Sequence, residues 1–208
     1  MTSVMLDRFY PVVPSSAWVA RLVPIGTRFI QLRIKDQPEV ELRRQVREAL
    51  SVCMAHGAQL VVNDYWQIAI DEKSPWVHLG QEDLLDADIK AIHRAGLKLG
   101  VSTHDHEELE KGLGADPHYV ALGPIWPTLL KKMKFGPQGL QRIGEWKKLI
   151  GDRPLVAIGG LTLERALLCL EAGADSASVV GDIVNNADPV AQAKAWIAAT
   201  RPPKGAAA

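Results

Sequence analysis

The chain has 208 residues, of which 47% are hydrophobic and 23% are charged. This composition is typical of a soluble globular protein with enough apolar side chains for one sizeable core. Basic and acidic residues number 24 each, so no overall basic field would recruit nucleic acid or an anionic membrane. Any anion that the chain binds must therefore be held by a local site.

The ends of the chain and its cysteines predict a cytoplasmic protein of one domain. The first residues carry neither the basic start nor the apolar core of a signal peptide, and no apolar run approaches the ~20 residues that cross a bilayer. We expect one domain over residues 1–200 and a flexible C-terminal tail over 201–208. Cys53 and Cys169 lie in different predicted helices without metal-ligand neighbours, which favours a packing role. The sequence leaves the oligomeric state open, and a homo-oligomer is compatible with it.

Short apolar runs alternate with helical stretches along the chain. Eight of them predict strands: Phe9–Val13, Phe29–Ile34, Gln59–Val62, Trp76–Leu79, Lys98–Ser102, Tyr119–Leu122, Leu155–Ile158 and Ala177–Val180. Strand and helix in alternation indicate a parallel sheet, and eight units in about two hundred residues favour an α/β fold, the (β/α)8 TIM barrel. An open doubly wound sheet is the alternative, but no GxGxxG turn follows the first strand.

Two segments carry signals for the start of a helix. Asp36-Gln37-Pro38-Glu39 resembles a capping box with an early proline. Thr162 precedes a helical run in the manner of an N-cap residue. We expect a side-chain cap at both positions.

The second predicted strand alternates polar and apolar side chains. Gln31, Arg33 and Lys35 share one face and point inward, while Leu32 and Ile34 pack under helices. An exposed edge strand would give the same alternation. If the strand belongs to a barrel, the two cations need an anion, and a diphosphate suits the forked guanidinium of arginine beside a lysine charge.

Acidic residues follow the third and fourth predicted strands. Asp64 comes after Asn63, and Asp83 follows Gly80-Gln81-Glu82. Mg²⁺ keeps several waters and usually bridges one or two carboxylates to substrate phosphates, so this pair predicts a magnesium site. The alternative for each aspartate is an N-cap of the next helix.

The fifth and sixth strands lead into further polar segments. Ser102 and His104 end the fifth strand, and the long stretch 123–132 after the sixth predicts a lid over a phosphorylated substrate. His78 and His104 are candidate general bases, with a structural role as the alternative. Glycines end the seventh and eighth strands in Gly159-Gly160 and Val180-Gly181, where barrels frequently bind phosphate through backbone N–H groups. Ordinary tight turns are the alternative there.

Six segments in order give the chain its resemblance to a known family. They are Gln31-Leu32-Arg33-Ile34-Lys35-Asp36, Asn63-Asp64-Tyr65-Trp66, Val77-His78-Leu79-Gly80-Gln81-Glu82-Asp83, Gly100-Val101-Ser102-Thr103-His104, Gly123-Pro124-Ile125-Trp126-Pro127-Thr128 and Val156-Ala157-Ile158-Gly159-Gly160. In these segments the chain resembles thiamine phosphate synthase over nearly its whole length. The resemblance implies a transferase of thiamine biosynthesis that condenses an aminopyrimidine diphosphate with a thiazole phosphate, with Mg²⁺ as cofactor.

The resemblance also implies roles for individual positions. It assigns Arg33, Lys35, Ser102 and Lys131 to catalysis, and Asp64 and Asp83 to Mg²⁺. The pyrimidine diphosphate subsite would comprise Gln31, Leu32, Arg33, Ile34, Lys35, Asn63, Ser102 and Lys131. The thiazole phosphate subsite would comprise Thr128, Leu129, Leu130, Gly160, Val180 and Gly181.

The chain departs from the family pattern at Leu130 and Gly181, where the family commonly has hydroxyl side chains. Each lost hydroxyl bond is worth ~1 kcal/mol, and Gly181 keeps its backbone donor, so we expect rearranged phosphate contacts rather than lost activity. The mechanism that we expect is a dissociative substitution, with CO₂ also released if the thiazole is carboxylated.

Three rival functions fit parts of the same sequence. A thiazole tautomerase-like relative would need neither a diphosphate nor a metal, and a phosphate-binding barrel isomerase would leave the aspartate pair unexplained. A non-catalytic sensor of thiamine phosphate is the third. Retention of Arg33, Lys35, Asp64, Asp83 and Lys131 argues against the tautomerase, whereas the departures at Leu130 and Gly181 leave the sensor as an alternative.

Overall fold

A computed structural model of the chain describes residues 6–127 and 135–201. In it, parallel strands form a closed barrel in the order β1 to β8, which confirms the predicted (β/α)8 fold. The strands are β1 Phe9–Val13, β2 Phe29–Leu32, β3 Gln59–Asn63, β4 Trp76–Leu79, β5 Lys98–Thr103, β6 Tyr119–Leu122, β7 Leu155–Ile158 and β8 Ser176–Val179.

Helices of the described residues follow the strands and surround the barrel. They are α1 Ser16–Leu22, α2 Glu39–Ala55, α3 Trp66–Asp71, α4 Gln81–Asp86, α5 Ile89–Arg94, α6 His106–Gly114, α7 Gln141–Leu149, α8 Leu163–Glu171, α9 Gly181–Val184 and α10 Pro189–Thr200. None of the described helices is both long and apolar enough to cross a membrane.

The strands separate two layers of core. Their outward side chains pack with the helices in one large cluster that includes Leu32, Val62 and Leu99. Their inward side chains fill the barrel with a second cluster, which Leu6 joins from the segment before β1: Tyr10, Phe29, Val61, Trp76, Tyr119, Ala121 and Val156. Burial on both faces explains why most strands are short, nearly continuous apolar runs.

The end of β2 differs from the prediction. The strand stops at Leu32 rather than Ile34, and the backbone N–H of Arg33 still donates to the carbonyl of Val13 at 2.9 Å. Leu32 and Ile34 are buried in the outer core, as expected from their alternation. Arg33 is half-buried and Lys35 is exposed, so the two cations lie at the mouth of the barrel and not inside it.

One of the two predicted helix caps is present. Thr162 Oγ1 accepts from the backbone N–H of Arg165 at 3.4 Å, which confirms the cap of α8. The capping box before α2 is wrong, because the helix follows Pro38 with no side-chain cap bond. Asp36 instead takes a left-handed turn with φ of 55°, which an aspartate tolerates better than most residues.

Both cysteines are buried, and the residue after α10 is held by side-chain hydrogen bonds. Cys53 and Cys169 are free and buried, and burial raises the pKa of each thiol, which supports the packing role. Arg201, where the tail was expected to begin, is held in place: its Nε donates to Asp7 Oδ2 at 3.1 Å and its Nη2 to the Gly26 carbonyl at 2.8 Å.

Candidate functional site at the carboxyl ends of the strands

Polar side chains converge where the inward faces of the strands meet the open end of the barrel. Gln31, Asn63, His78 and Ser178 are buried, and Ser102 is half-buried. Strand register pairs Asn63 directly with His78. Because the deeper inward positions are apolar or aromatic, these residues form a polar layer on top of a dry core.

A chain of hydrogen bonds crosses this layer. Gln31 Nε2 donates to Tyr10 Oη at 2.7 Å, and Tyr10 Oη lies 2.9 Å from Tyr119 Oη. Tyr119 Oη lies 2.8 Å from His78 Nδ1, and His78 Nε2 lies 2.8 Å from Ser102 Oγ. We call these five residues the relay; they join Gln31 and Ser102, two residues assigned to one subsite by the resemblance.

Tyr119 fits into the relay because β5 has a glycine opposite it. A Cβ atom on Gly100 would overlap the phenol ring of Tyr119, so only glycine leaves room for the ring there. The ring then stacks on His78, with centroids 5.6 Å apart and an angle of 16° between the planes. Packing and hydrogen bonding therefore fix the same orientation of the imidazole.

Burial keeps the members of the relay uncharged. Desolvation and, secondarily, the charge of Arg33 lower the pKa of His78 to about 4. Desolvation raises the pKa of Tyr10 and of Tyr119. At neutral pH His78 is a neutral imidazole with one N–H and one lone pair. This disfavours the interpretation of His78 as a general base, because both ring nitrogens already have partners.

Asp64 and Asp83 meet at the rim. Asp64 follows β3 in a left-handed conformation with φ of 66°, and its backbone N–H donates to the His78 carbonyl at 2.9 Å. Burial, then the charge of Asp83 and a hydrogen bond with it, raise the pKa of Asp64 to about 6, while Arg33 and Lys35 act in the opposite direction. The two carboxyl groups and the two cations therefore form one cluster.

The N-cap alternative for these aspartates is wrong. The residue before α3 is Tyr65, and the residue before α4 is Gly80. Asp83 lies within the first turn of α4 and Asp64 precedes the cap of α3, so neither carboxylate is committed to a helix end. Both remain available to a ligand.

Asn63 adds an unpaired donor beneath the carboxylates. Its Nδ2 is buried and has no hydrogen-bond partner among the described residues. A buried amide without a partner costs ~1–3 kcal/mol. A ligand that supplied an acceptor at this point would remove that cost.

The glycine corner after β7 is packed and not bare. Gly159 and Gly160 have φ of 99° and 66°, and a Cβ atom on Gly160 would lie 2.5 Å from the Pro127 carbonyl. Arg165 Nη1 donates to the Gly160 carbonyl at 2.6 Å, and its guanidinium lies over the Trp126 ring at 5.5 Å. Glycine is required here by the neighbouring segment as well as by the turn.

The segment after β6 begins as part of the barrel wall. Gly123 and Ile125 are buried, Ile125 N–H donates to the Ile158 carbonyl at 2.9 Å, and Trp126 N–H donates to the Gly159 carbonyl at 3.1 Å. The expectation of a lid is wrong for these first residues, because they pair with the end of β7. Thr128, Leu129, Leu130 and Lys131 lie outside the described residues.

Val180 and Gly181 lie at the start of α9, directly after β8, and both are half-buried. His104, the second candidate base, is paired with Glu108 instead: Nδ1 lies 2.6 Å from Oε2. Its ring also stacks on Phe135 at 4.9 Å. These contacts indicate a structural role for His104.

Sequence reasoning missed three residues that support the site. Gln81 Nε2 donates to the Ser102 carbonyl at 2.7 Å, and Tyr10 and Tyr119 carry the middle of the relay. The two tyrosines occupy inward positions of apolar strands, where they resemble core residues. A buried phenol usually needs a hydrogen-bond partner, so a tyrosine at an inward strand position indicates a polar neighbour inside the barrel.

Comparisons of sequence agree with this geometry. The family model described as thiamine monophosphate synthase matches residues 9–183. A thiamine-phosphate synthase of Rhizobium etli is 59% identical over 197 residues, which are 95% of this chain and 97% of that protein. One of Salmonella dublin is 47% identical over 191 residues, covering 92% of this chain and 87% of that protein.

Comparisons of structure support the fold. A solved thiamine phosphate pyrophosphorylase of Pyrococcus furiosus superposes with a TM-score of 0.82 at 22% identity, covering 93% of this chain and 95% of that one. A 3-hexulose-6-phosphate synthase of Salmonella typhimurium superposes with a TM-score of 0.66 at 14% identity, covering 93% and 98%. At these identities the likeness concerns the barrel alone.

Proposed function

This chain belongs to the thiamine monophosphate synthase family, and from that premise we propose how its site makes thiamine phosphate. The protein is a transferase of thiamine biosynthesis. The substrates that we propose are an aminopyrimidine diphosphate and a thiazole phosphate, carboxylated or not. The observation that carries the proposal is the cluster at the barrel mouth, where the charges of Asp83, Arg33 and Lys35 all act on Asp64.

The geometry of the barrel mouth supports the proposed pyrimidine diphosphate subsite. Arg33 and Lys35 lie at the mouth, where their donors would bind phosphate oxygens, and Gln31, Asn63 and Ser102 line the polar layer below. The side chains of Leu32 and Ile34 pack in the outer core, so their part in this subsite would be through the backbone. Lys131 completes the subsite in the proposal.

A divalent cation fits the aspartate pair. The neighbouring carboxylates repel each other, which contributes to the raised pKa of Asp64, and a cation between them would relieve that repulsion. Among the described residues no three His, Cys, Asp or Glu side chains cluster as metal ligands, so a metal here would keep several waters, as Mg²⁺ does. Bound by Asp64 and Asp83, Mg²⁺ would neutralise charge on the diphosphate oxygens.

The chemistry needs positioning and charge stabilisation. The bond between the pyrimidine methylene and the diphosphate oxygen breaks, and its electron pair leaves with pyrophosphate. Arg33, Lys35 and Lys131 stabilise that growing negative charge. The thiazole nitrogen then forms the new carbon–nitrogen bond, and the dry aromatic floor formed by Tyr10, Phe29 and Tyr119 disfavours capture by water.

The thiazole phosphate subsite in this proposal comprises Gly160, Val180 and Gly181 together with residues 128–130. Gly181 offers a backbone N–H at the start of α9, and Gly160 holds the turn beside the segment from Gly123 to Pro127. We further propose a cytoplasmic location, which the two free, buried cysteines favour.

The experiment for this assignment compares two arginine variants. Arg33→Ala should raise the KM for the pyrimidine diphosphate by at least tenfold and leave the KM for thiazole phosphate within twofold, since a charge-assisted bond is worth ~1.5–3 kcal/mol. Arg28 is an exposed arginine directly before the first residue of β2, at the end of the barrel away from the site. Arg28→Ala should leave the KM values for both substrates unchanged. An effect of Arg33→Ala confined to the thiazole would show that the two subsites are reversed.

A further inference from the structure

The relay has only two self-consistent arrangements of its protons. Tyr10 and Tyr119 each have a single hydroxyl hydrogen, and a neutral His78 has a single N–H. Each member must therefore donate to one neighbour and accept from the other. If any one bond reverses, all of them must reverse, or a buried donor is left without a partner.

The orientation of the Gln31 amide selects one arrangement. Its Nε2 faces Tyr10 Oη, so Tyr10 accepts there and donates to Tyr119. Tyr119 then donates to His78 Nδ1, and the imidazole hydrogen lies on Nε2 and points at Ser102 Oγ. Ser102 accepts this bond, and since its hydroxyl has no other partner among residues 6–127 and 135–201, its hydrogen is left for a ligand.

The opposite end of the relay presents the complementary group. Gln31 donates through Nε2 to Tyr10, and no group of the described residues donates to its Oε1, which is left as an acceptor. The next inward residue is Arg33, whose positive charge also favours an oxygen over an amide N–H on that side. The reverse arrangement would place an amide donor near this cation.

We propose that the relay sets the hydrogen-bond polarity of the pocket wall, so that Gln31 presents an acceptor and Ser102 a donor to the same ligand. Tyr10, Tyr119 and His78 are positioning residues that couple these two ends. A heteroaromatic ring with an amine donor and a ring-nitrogen acceptor matches this pair, whereas a ring with a keto acceptor in place of the amine and a protonated ring nitrogen does not. The ligand half of this inference rests on the proposed function; the proton order does not.

The first test is the tautomer of His78, measured by ¹⁵N NMR at neutral pH on protein labelled at its six histidines. A His78→Gln variant identifies the resonances of this residue. We expect a protonated Nε2 and an unprotonated Nδ1. A protonated Nδ1, or a charged imidazolium, would overturn the proton order. The NMR measurement requires neither substrate nor an active enzyme.

The second test breaks the relay at a distance from the histidine. Tyr10→Phe removes the hydroxyl that forces Tyr119 to donate to His78, although Tyr10 does not contact His78 directly. We expect a mixture of His78 tautomers in this variant. Phe29→Leu is the matched control, because Phe29 packs against the same phenol ring at 4.5 Å but has no polar group, and it should keep the single tautomer. An unchanged tautomer in a folded Tyr10→Phe variant would contradict the coupling; if that variant does not fold, the wild-type tautomer decides alone.

Kinetics separate a failure of this inference from a failure of the proposed function. Tyr10→Phe should raise the KM for the pyrimidine diphosphate about threefold to tenfold, as expected for one weakened neutral hydrogen bond, with the KM for thiazole phosphate unchanged. Equal losses with both substrates would reject the polarity role. If the wild-type protein makes no thiamine phosphate but shows the expected tautomer, the relay stands and the function does not.

Discussion

Asp83 lies close enough to Asp64 at the mouth of the barrel for its charge to act on the Asp64 carboxyl group. Asp64 stands in the turn after β3, and Asp83 stands in the first turn of α4. Burial of Asp64 and the charge of Asp83 together raise the pKa of Asp64 to about 6. Without a bound cation, the ionised form of Asp64 therefore opposes folding at pH 8.

This arrangement predicts a pH-dependent gain in stability for Asp64→Asn. A folded pKa above the unfolded value of 3.8 means that stability is lost as pH rises from about 4 through about 6. The full shift corresponds to ~3 kcal/mol, and solvent screening at the rim reduces it to about 1 kcal/mol. Urea unfolding in EDTA should show that gain at pH 8 and about half of it at pH 5. Asparagine tolerates the left-handed backbone as well as aspartate does.

The control for that measurement is Asp86→Asn, which removes an exposed carboxylate from the same helix as Asp83 and should change stability by less than about 0.5 kcal/mol at either pH. A loss of stability in Asp64→Asn at pH 8 would show that the Asp64 carboxylate is favourably paired, which its raised pKa contradicts.

Mg²⁺ should stabilise the protein through the same pair. Binding at Asp64 and Asp83 requires both carboxylates to be ionised, so added Mg²⁺ should raise the Tm more at pH 8 than at pH 5. A thermal shift titration with Asp83→Asn should lose most of the effect, and Asp86→Asn should keep it. An equal response of wild type and Asp83→Asn would remove the metal assignment.

Gly100→Ala should damage the relay by a steric route. Its Cβ would overlap the ring of Tyr119, and overpacking of a dense core costs about 1–3 kcal/mol. Chemical denaturation should show this loss, together with a raised KM for the pyrimidine diphosphate. Gly114→Ala, at the open end of α6 with no neighbour within 4 Å, should be neutral or slightly stabilising; equal effects of the two changes would contradict the packing argument.

Gly160→Ala should affect the thiazole side. The substitution combines a φ of +66° with a close approach to the Pro127 carbonyl, whereas Gly151 has a φ of +64° and open space around it. Gly151→Ala therefore measures the backbone strain alone. The additional effect in Gly160→Ala should be a raised KM for thiazole phosphate, measured by steady-state kinetics, without a matching change for the pyrimidine diphosphate. Equal KM values for thiazole phosphate in the two variants would show that Gly160 does not contribute to the thiazole phosphate subsite.

The sequence predicted the barrel and much of the rim for a physical reason. Strands buried on both faces are apolar runs with sharp limits, so polar residues such as Arg33 and Asp64 stand out where a strand ends. The end of β2 is predicted two residues too late, because the polar–apolar alternation continues past Leu32, the last residue of the strand. The capping box predicted at Asp36 is wrong because Asp36 adopts a left-handed turn with φ of 55°. The helix starts only after Pro38, without a side-chain cap bond.

The relay could not be predicted from local pattern. Its bonds join residues as far apart as Tyr10 and Tyr119, and a phenol within an apolar strand looks like any other core aromatic. Only the closure of the barrel places the two hydroxyls together. Gly100 carried a signal, since a glycine within a strand often marks a close approach, but not the identity of its neighbour.

The most direct test of the central claim is to mix the purified protein with the aminopyrimidine diphosphate and thiazole phosphate, in Mg²⁺ or in EDTA, and to measure thiamine phosphate and pyrophosphate. The account predicts equal amounts of both products with Mg²⁺ and none with EDTA, with recovery when Mg²⁺ is restored in excess. Absence of thiamine phosphate in the presence of Mg²⁺ would contradict it.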